Sequence, residues 1–185
     1  MFKKLTRFLA IPLLLVALLM SGCSIVNKDF QVKENYTAEP QILEYHMAYY
    51  LVFEELMKYD TALHLNKRYI ALDVSDVLLE DSSKLIALVQ DYCDANNYIL
   101  LLGTHLELTE EGYINGLYFP EGVLIHFRYR DYMNRSPNSL EGAKVVTAGT
   151  KWASAMGAIG GTYTINHTSD GWELDPNSRG FSWIS

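Results

Sequence analysis

Gly122-Val123-Leu124-Ile125-His126-Phe127-Arg128-Tyr129-Arg130 is the stretch whose reading decides the fold. Val123, Ile125, Phe127 and Tyr129 alternate with Leu124, His126, Arg128 and Arg130. A period of two sends successive side chains to opposite faces of a strand. One apolar face and one basic face turned to water are therefore expected. The chain beyond it continues in the same manner. Ala143–Trp152 and Ala158–His167 read as two further strands, joined by Ser154-Ala155-Met156-Gly157. Ser136-Pro137-Asn138, within Asn134–Asn138, is a turn signal before them. Asp170-Gly171 is a hairpin turn after them and leads into Trp172-Glu173-Leu174. Trp152 and Trp172 are expected in the core or at its rim. The tail from Pro176 ends in Phe181-Ser182-Trp183-Ile184, aromatic enough to dock on the body.

The half of the chain before Pro120 has a different period. Ile42, Tyr45, Tyr49, Val52, Leu56, Tyr59 and Leu63 recur at spacings of three and four, which predicts an amphipathic helix over Pro40–Leu63 with a broad apolar face. Arg68–Val74 reads as a strand with Ile70, Leu72 and Val74 on its more apolar face. Asp81-Ser82-Ser83 caps a second helix that carries Leu85, Ile86, Leu88, Val89, Tyr92 and Cys93 and ends at Asn96-Asn97. Tyr98–Leu102 is a continuous apolar run, expected as a buried strand. Thr104-His105-Leu106-Glu107 has the form of a capping box, opening a short helix that Gly112 ends. The fold class is α+β: N-terminal helices packed on a largely antiparallel β-sheet, with a C-terminal β-meander.

The first residues are of another kind. Lys3, Lys4 and Arg7 precede an apolar run from Phe8 to Met20, broken only by Pro12. About thirteen apolar residues are too few for a spanning helix, which needs roughly 20. A basic start, a short apolar middle and the small residues Ser21 and Gly22 make a secretory signal. Met20-Ser21-Gly22-Cys23 resembles the lipobox of bacterial lipoproteins. The resemblance implies a diacylglyceryl group on the Cys23 sulfur, cleavage before Cys23 and acylation of its new amino group. It places the protein at the cell membrane, lipid-anchored on the extracytoplasmic side. The domains are then 1–22 signal peptide, 23–38 flexible tether and 39–185 a single α+β domain. The rival reading is an ordinary signal peptide, which the sequons at Asn35, Asn134 and Asn166 favour.

Removing the first 22 of 185 residues leaves 163, the size of one domain with a real core. The chain holds fifteen basic and twenty-two acidic residues. The signal takes three of the basic ones, so the mature chain carries twelve against twenty-two, a net charge of −10. That charge argues against nucleic acid and against electrostatic attraction to anionic lipid. The membrane contact is left to the acyl chains.

No motif brings a reaction with it. His46, His64, His105, His126 and His167 are scattered, without metal-ligand spacing. His105 and Glu107 lie two apart on a helix and share no face. Gly157-Ala158-Ile159-Gly160-Gly161 lacks the spacing of a phosphate loop and sits between strands. Its glycines suit a turn, a bulge or close backbone approach. Cys93 reads as a buried, inert thiol. Carboxylates are abundant and fall mostly on predicted solvated faces. Asp73 with Asp76, after the first strand, is an example of a pair that could act together, to which spacing alone gives little weight. No catalytic, cofactor-binding or metal residue is assigned; Cys23 is the one assigned site.

Tyr69–Asp73, Leu106–Ile114, Gly122–Ile125, Lys151-Trp152 with Gly157–Gly160, and Trp183-Ile184-Ser185 resemble small uncharacterised exported bacterial lipoproteins. These are packing and turn residues, so the resemblance implies a fold and no activity. The function expected is a non-enzymatic binding or interaction domain at the cell envelope, with an envelope protein or peptide as partner and no cofactor. The alternatives are a small-ligand or solute-binding component of a transport system, and a hydrolase whose site is assembled from separated residues. Cys23 is the first point to check. Mass spectrometry of the wild-type N-terminus is expected to find Cys23 as its first residue with two or three acyl chains. Each buried CH₂ contributes about 0.8 kcal/mol, enough for two chains to hold an acidic domain. An unmodified N-terminus that begins elsewhere would refute the lipobox reading.

Overall fold

The computed structural model describes residues 45–77, 79, 81–133, 140, 142–178 and 180–184. Cys23, the signal at 1–22, the tether at 23–38, the helix start at Pro40 and the turn at 136–138 lie outside the described residues. The described chain is α+β, with a mixed sheet curled into a half-barrel. Its elements are helix α1 (Tyr45–Lys58), a 3₁₀ turn (Thr61–Leu63), β1 (Tyr69–Asp73), α2 (Ser83–Ala95), β2 (Ile99–Leu102), α3 (His105–Glu110), β3 (Gly122–Met133), β4 (Lys144–Ser154), β5 (Gly157–Thr168), β6 (Gly171–Leu174) and β7 (Gly180–Ile184).

The strands run in the order β2-β1-β3-β4-β5-β6. β1 is parallel to both β2 and β3, and the pairs from β3 to β6 are antiparallel. Parallel neighbours need a long crossover between them, which α2 supplies from β1 to β2. The antiparallel half needs only short turns: Ala155-Met156 between β4 and β5, and Ser169-Asp170 between β5 and β6. β5 is shared on its second edge. Ile165–Thr168 pair with β6, and Ala158–Thr162 pair with β7. The chain's tail thus joins the sheet through its backbone.

Burial departs from the expected alternation at three places. In β1 Ile70, Ala71 and Leu72 are all fully buried, because an apolar cluster lies on each face. Ile70 and Leu72 join the main core with Val52, Phe53 and Ile125, whereas Ala71 joins Leu108, Ile114, Phe119 and Leu124. In β3 Leu124 is buried beneath α3 by that second cluster, while Tyr129 on the apolar side is exposed beside the β-bulge at Tyr129/Asp131. The apolar run at Ile99–Leu102 is a strand but not a buried one. It is the edge of the sheet among the described residues, with Ile99 44% and Leu102 50% exposed. Trp152 and Trp172 are half-buried at the rims of the two clusters. Trp172 meets Tyr45 and His167 at ring distances of 5.3 and 4.9 Å.

The first helix is shorter than its stripe. It ends at Lys58, and Asp60 sits in the left-handed region with φ 40° before the 3₁₀ turn. The last carbonyls of a helix lack intrahelical partners. Here the Lys151 ammonium, fully buried on β4, donates to Tyr59 O and to Asp60 O, the latter at 3.2 Å. A cation at this place also complements the negative end of the helix dipole. The other helix ends follow local rules. Asp81 Oδ1 accepts from Ser83 N at 2.8 Å, and Asn97 closes α2 with φ 61°. Thr104 and Glu107 form the expected capping box, with Thr104 N donating to Glu107 Oε2 at 2.7 Å.

At Gly149 side chains of α1 lie close against the backbone of β4. A Cβ there would stand 2.7 Å from Val52 Cγ1 and 3.1 Å from Leu56 Cδ1. Gly149→Ala is therefore expected to cost about 1–3 kcal/mol through overpacking, measured by chemical denaturation. No loss of stability would show that the helix yields freely at this point.

Candidate functional site

The parallel half of the sheet has a reversal of strand order. From β1 the chain crosses to β2 on one side, and β3 returns to the other side of β1. Crevices beyond the carboxyl ends of strands at such a switch point are the usual ligand sites of open sheets. β1 ends there in Asp73, whose Cα partner on β3 is His126. An open, shallow groove of about 370 Å³ lies beside it, lined by Ser75, Asp76, Val77, Arg128 and Tyr129.

The turn after β1 is shaped by Asp73. Its Oδ1 accepts from Ser75 N at 3.0 Å and from Ser75 Oγ at 2.6 Å, the form of an Asx turn. Tyr129 N donates to Asp76 O at 3.1 Å, which holds the turn against β3. His126 Nε2 then stands 3.5 Å from Asp76 Oδ2 and 3.9 Å from Asp73 Oδ2, and Arg128 Nε stands 3.9 Å from the same Asp76 oxygen. The structure thus brings Asp73 and Asp76 together around one imidazole. The sequence gives the Asp73-Val74-Ser75-Asp76 turn after a strand, but not its partners about 50 residues onward.

This arrangement presents charge and lacks the elements of a nucleophilic site. A serine nucleophile needs a base to take its proton, and the Ser75 hydroxyl donates to a carboxylate instead of to His126. The Arg128–Asp76 pair is exposed on both sides, and such pairs contribute about 0–1 kcal/mol. These two charges are therefore available to a ligand at small cost, whereas Asp73 is buried. Among the described residues, no group of three or more His, Cys, Asp or Glu is arranged to hold a metal ion. His105 is separated from such a role by its surroundings: its ring lies 4.9 Å from Trp152, and Glu107 is engaged in the cap. Gly160 serves close approach, since a Cβ there would stand 2.8 Å from Gly149 O.

A second surface lies at the other end of β1. The Leu117 carbonyl accepts from Ala155 N at 2.9 Å, and Tyr118 pairs with Ser154 across an isolated bridge. The bridge sets side by side two turns that carry Leu117, Tyr118 and Met156, with exposures of 69%, 50% and 90%, an apolar platform on the surface. Lys67 Nζ stands 5.5 Å from the centre of the Tyr118 ring and donates to Pro120 O at 2.6 Å. No periodicity marks these residues in the sequence, because the platform joins two turns from separate parts of the chain.

Comparison with family models, with curated proteins and with solved structures returns no match. Among the described residues no helix is long and apolar enough to cross a membrane.

Cys93 lies in the main core with no exposure. Burial, with a smaller contribution from Asp94, pushes its thiol up to about 11, and the thiolate is the reactive form. Folded protein at pH 7–8 is therefore expected to leave Cys93 unlabelled by a maleimide, with labelling complete in denaturant. Rapid labelling of Cys93 in the native protein would show access that the packing denies.

Proposed function

We propose that this protein is an exported lipoprotein, held to the membrane through Cys23, whose domain binds an envelope protein or peptide and performs no catalysis. The exposed platform of Leu117, Tyr118 and Met156 carries the reading. Large apolar side chains exposed on neighbouring turns of a charged domain mark interaction surfaces, and an exposed methionine adapts to varied partners. The mature charge of −10 gives solubility around an apolar contact. The groove after β1 supports the same reading. It is open and charged, which suits a surface segment of a partner better than a solute held in an enclosed site. Helices α1 and α2 are taken as a layer packed on the largely antiparallel sheet, a rigid support for both surfaces. The ring contact of Tyr49 with Phe127 at 5.6 Å supports that arrangement.

A photo-crosslinking side chain at Met156, in the full chain in its native membrane, tests the proposal. Asp170 is the control, exposed on the β5–β6 turn at the far end of β5. A discrete adduct from position 156, absent from position 170, is expected. Leu117→Glu should abolish it while changing stability by less than about 0.5 kcal/mol, as for other exposed substitutions. Identical adducts from both positions, or none from position 156, would refute the platform as the binding surface.

A further inference from the structure

The turn from Asp60 to Lys67, between α1 and β1, meets β4 through the side chains of His64 and Lys151. Lys151 Nζ lies 3.3 Å from His64 Nδ1 and also reaches the carbonyls of Tyr59 and Asp60. An ammonium has three donors and no acceptor. These three acceptors match it, so His64 must be neutral, with its proton on Nε2. Lys151 is fully buried, and His64 is 7% exposed. Among the described residues no carboxylate comes within ion-pair distance of Lys151. Asp60 is the charged group nearest to both from the turn itself, and Tyr98 faces His64 at a ring distance of 6.2 Å. Leu63 completes the contact, its Cδ2 lying 3.2 Å from where a Cβ on Gly157 would stand.

We propose that His64 and Lys151 form an acid-operated latch. Neutral His64 accepts from the ammonium and fastens the turn to β4. Protonated His64 turns an N–H towards that ammonium and becomes a second buried cation beside it, so the turn Asp60–Lys67 is released. Nothing in this step changes a covalent bond; one proton is taken from water. Burial, and then the Lys151 charge, hold the His64 imidazole down at about 4, against a smaller opposing effect of Asp60. A histidine held below its ordinary value of about 6.5 binds fewer protons folded than unfolded. Stability from this group is therefore full above about pH 6.5 and is lost as the pH falls towards 4. Burial also lowers Lys151, to about 8, so the ammonium is present throughout the acid range in which the latch works.

Nuclear magnetic resonance of the full chain tests this. The His64 ring is expected to titrate near pH 4, and Lys151→Met to move that midpoint upward by more than one pH unit. Amide protection at Leu63, His64, Leu65 and Lys67, which close the turn through Asp60 O, Thr61 O and His64 O, should fall at least tenfold between pH 6.5 and 4. Amides of the β4–β5 ladder should keep theirs. Lys151→Met removes the ammonium from the Tyr59 and Asp60 carbonyls and is liable to unfold, so His64→Gln carries the test independently by abolishing the acid-dependent loss. A His64 midpoint near 6.5, or a loss of protection that persists in His64→Gln, would overturn the latch.

Discussion

Burial of β1 on both faces is the constraint from which the rest of the structure follows. Ile70, Ala71 and Leu72 have no exposure, and a fully buried Leu or Ile contributes about 1.5–3 kcal/mol. A strand so placed must have a neighbour on each side and cover on each face. β2 and β3 are the neighbours, both parallel, which commits the chain to crossovers outside the sheet. The two apolar clusters provide the cover. The strand's polar end is a consequence. Asp73 at the carboxyl end meets His126 only because β3 runs parallel beside it.

Lys151 shows how a residue that local rules would place in water becomes structural. It occupies a core-facing position of β4, between Gly149 and Ala153 in the alternating pattern. An apolar side chain there would remove the Lys151 donor from the carbonyls of Tyr59 and Asp60, the latter of which also accepts from Leu63 N at 3.1 Å. Losing a partner for a buried polar group costs about 1–3 kcal/mol. The lysine satisfies them but brings an ionised group inside, where its charge is disfavoured by burial. His64 completes the shell as an uncharged acceptor. One side chain thus ends a helix, fixes the following turn and leaves a site whose balance depends on a single proton.

The two surfaces at the ends of β1 differ in kind. The groove has charges that partly compensate one another, with both Asp76 and Arg128 largely in water. The platform is apolar and open, built where the β4–β5 turn meets the chain before β3. A binding domain gains from such a division, since apolar contact supplies affinity and charge selects among partners.

The sequence by itself determined the element types. The stripe from Tyr45 to Leu56, the alternation from Val123 to Phe127, the box at Thr104–Glu107 and the turn at Asp170-Gly171 all depend on neighbours within a few residues, and each is legible for that reason. It also showed the carboxylate pair Asp73 and Asp76 without saying what faces them. Tertiary structure decided the rest. The stripe runs on to Leu63, yet the helix stops at Lys58 and the chain turns through the left-handed Asp60, where Lys151 from β4 meets the carbonyls of Tyr59 and Asp60. Ile99–Leu102 has the composition of a buried strand, yet it lies at the sheet's edge, because no described strand pairs beyond it. His126 joins the two aspartates, and Leu117 and Tyr118 join Met156, through pairings between distant parts of the chain. Those pairings are set by which strands adjoin, and strand order follows from burial of the whole chain instead of from any local period.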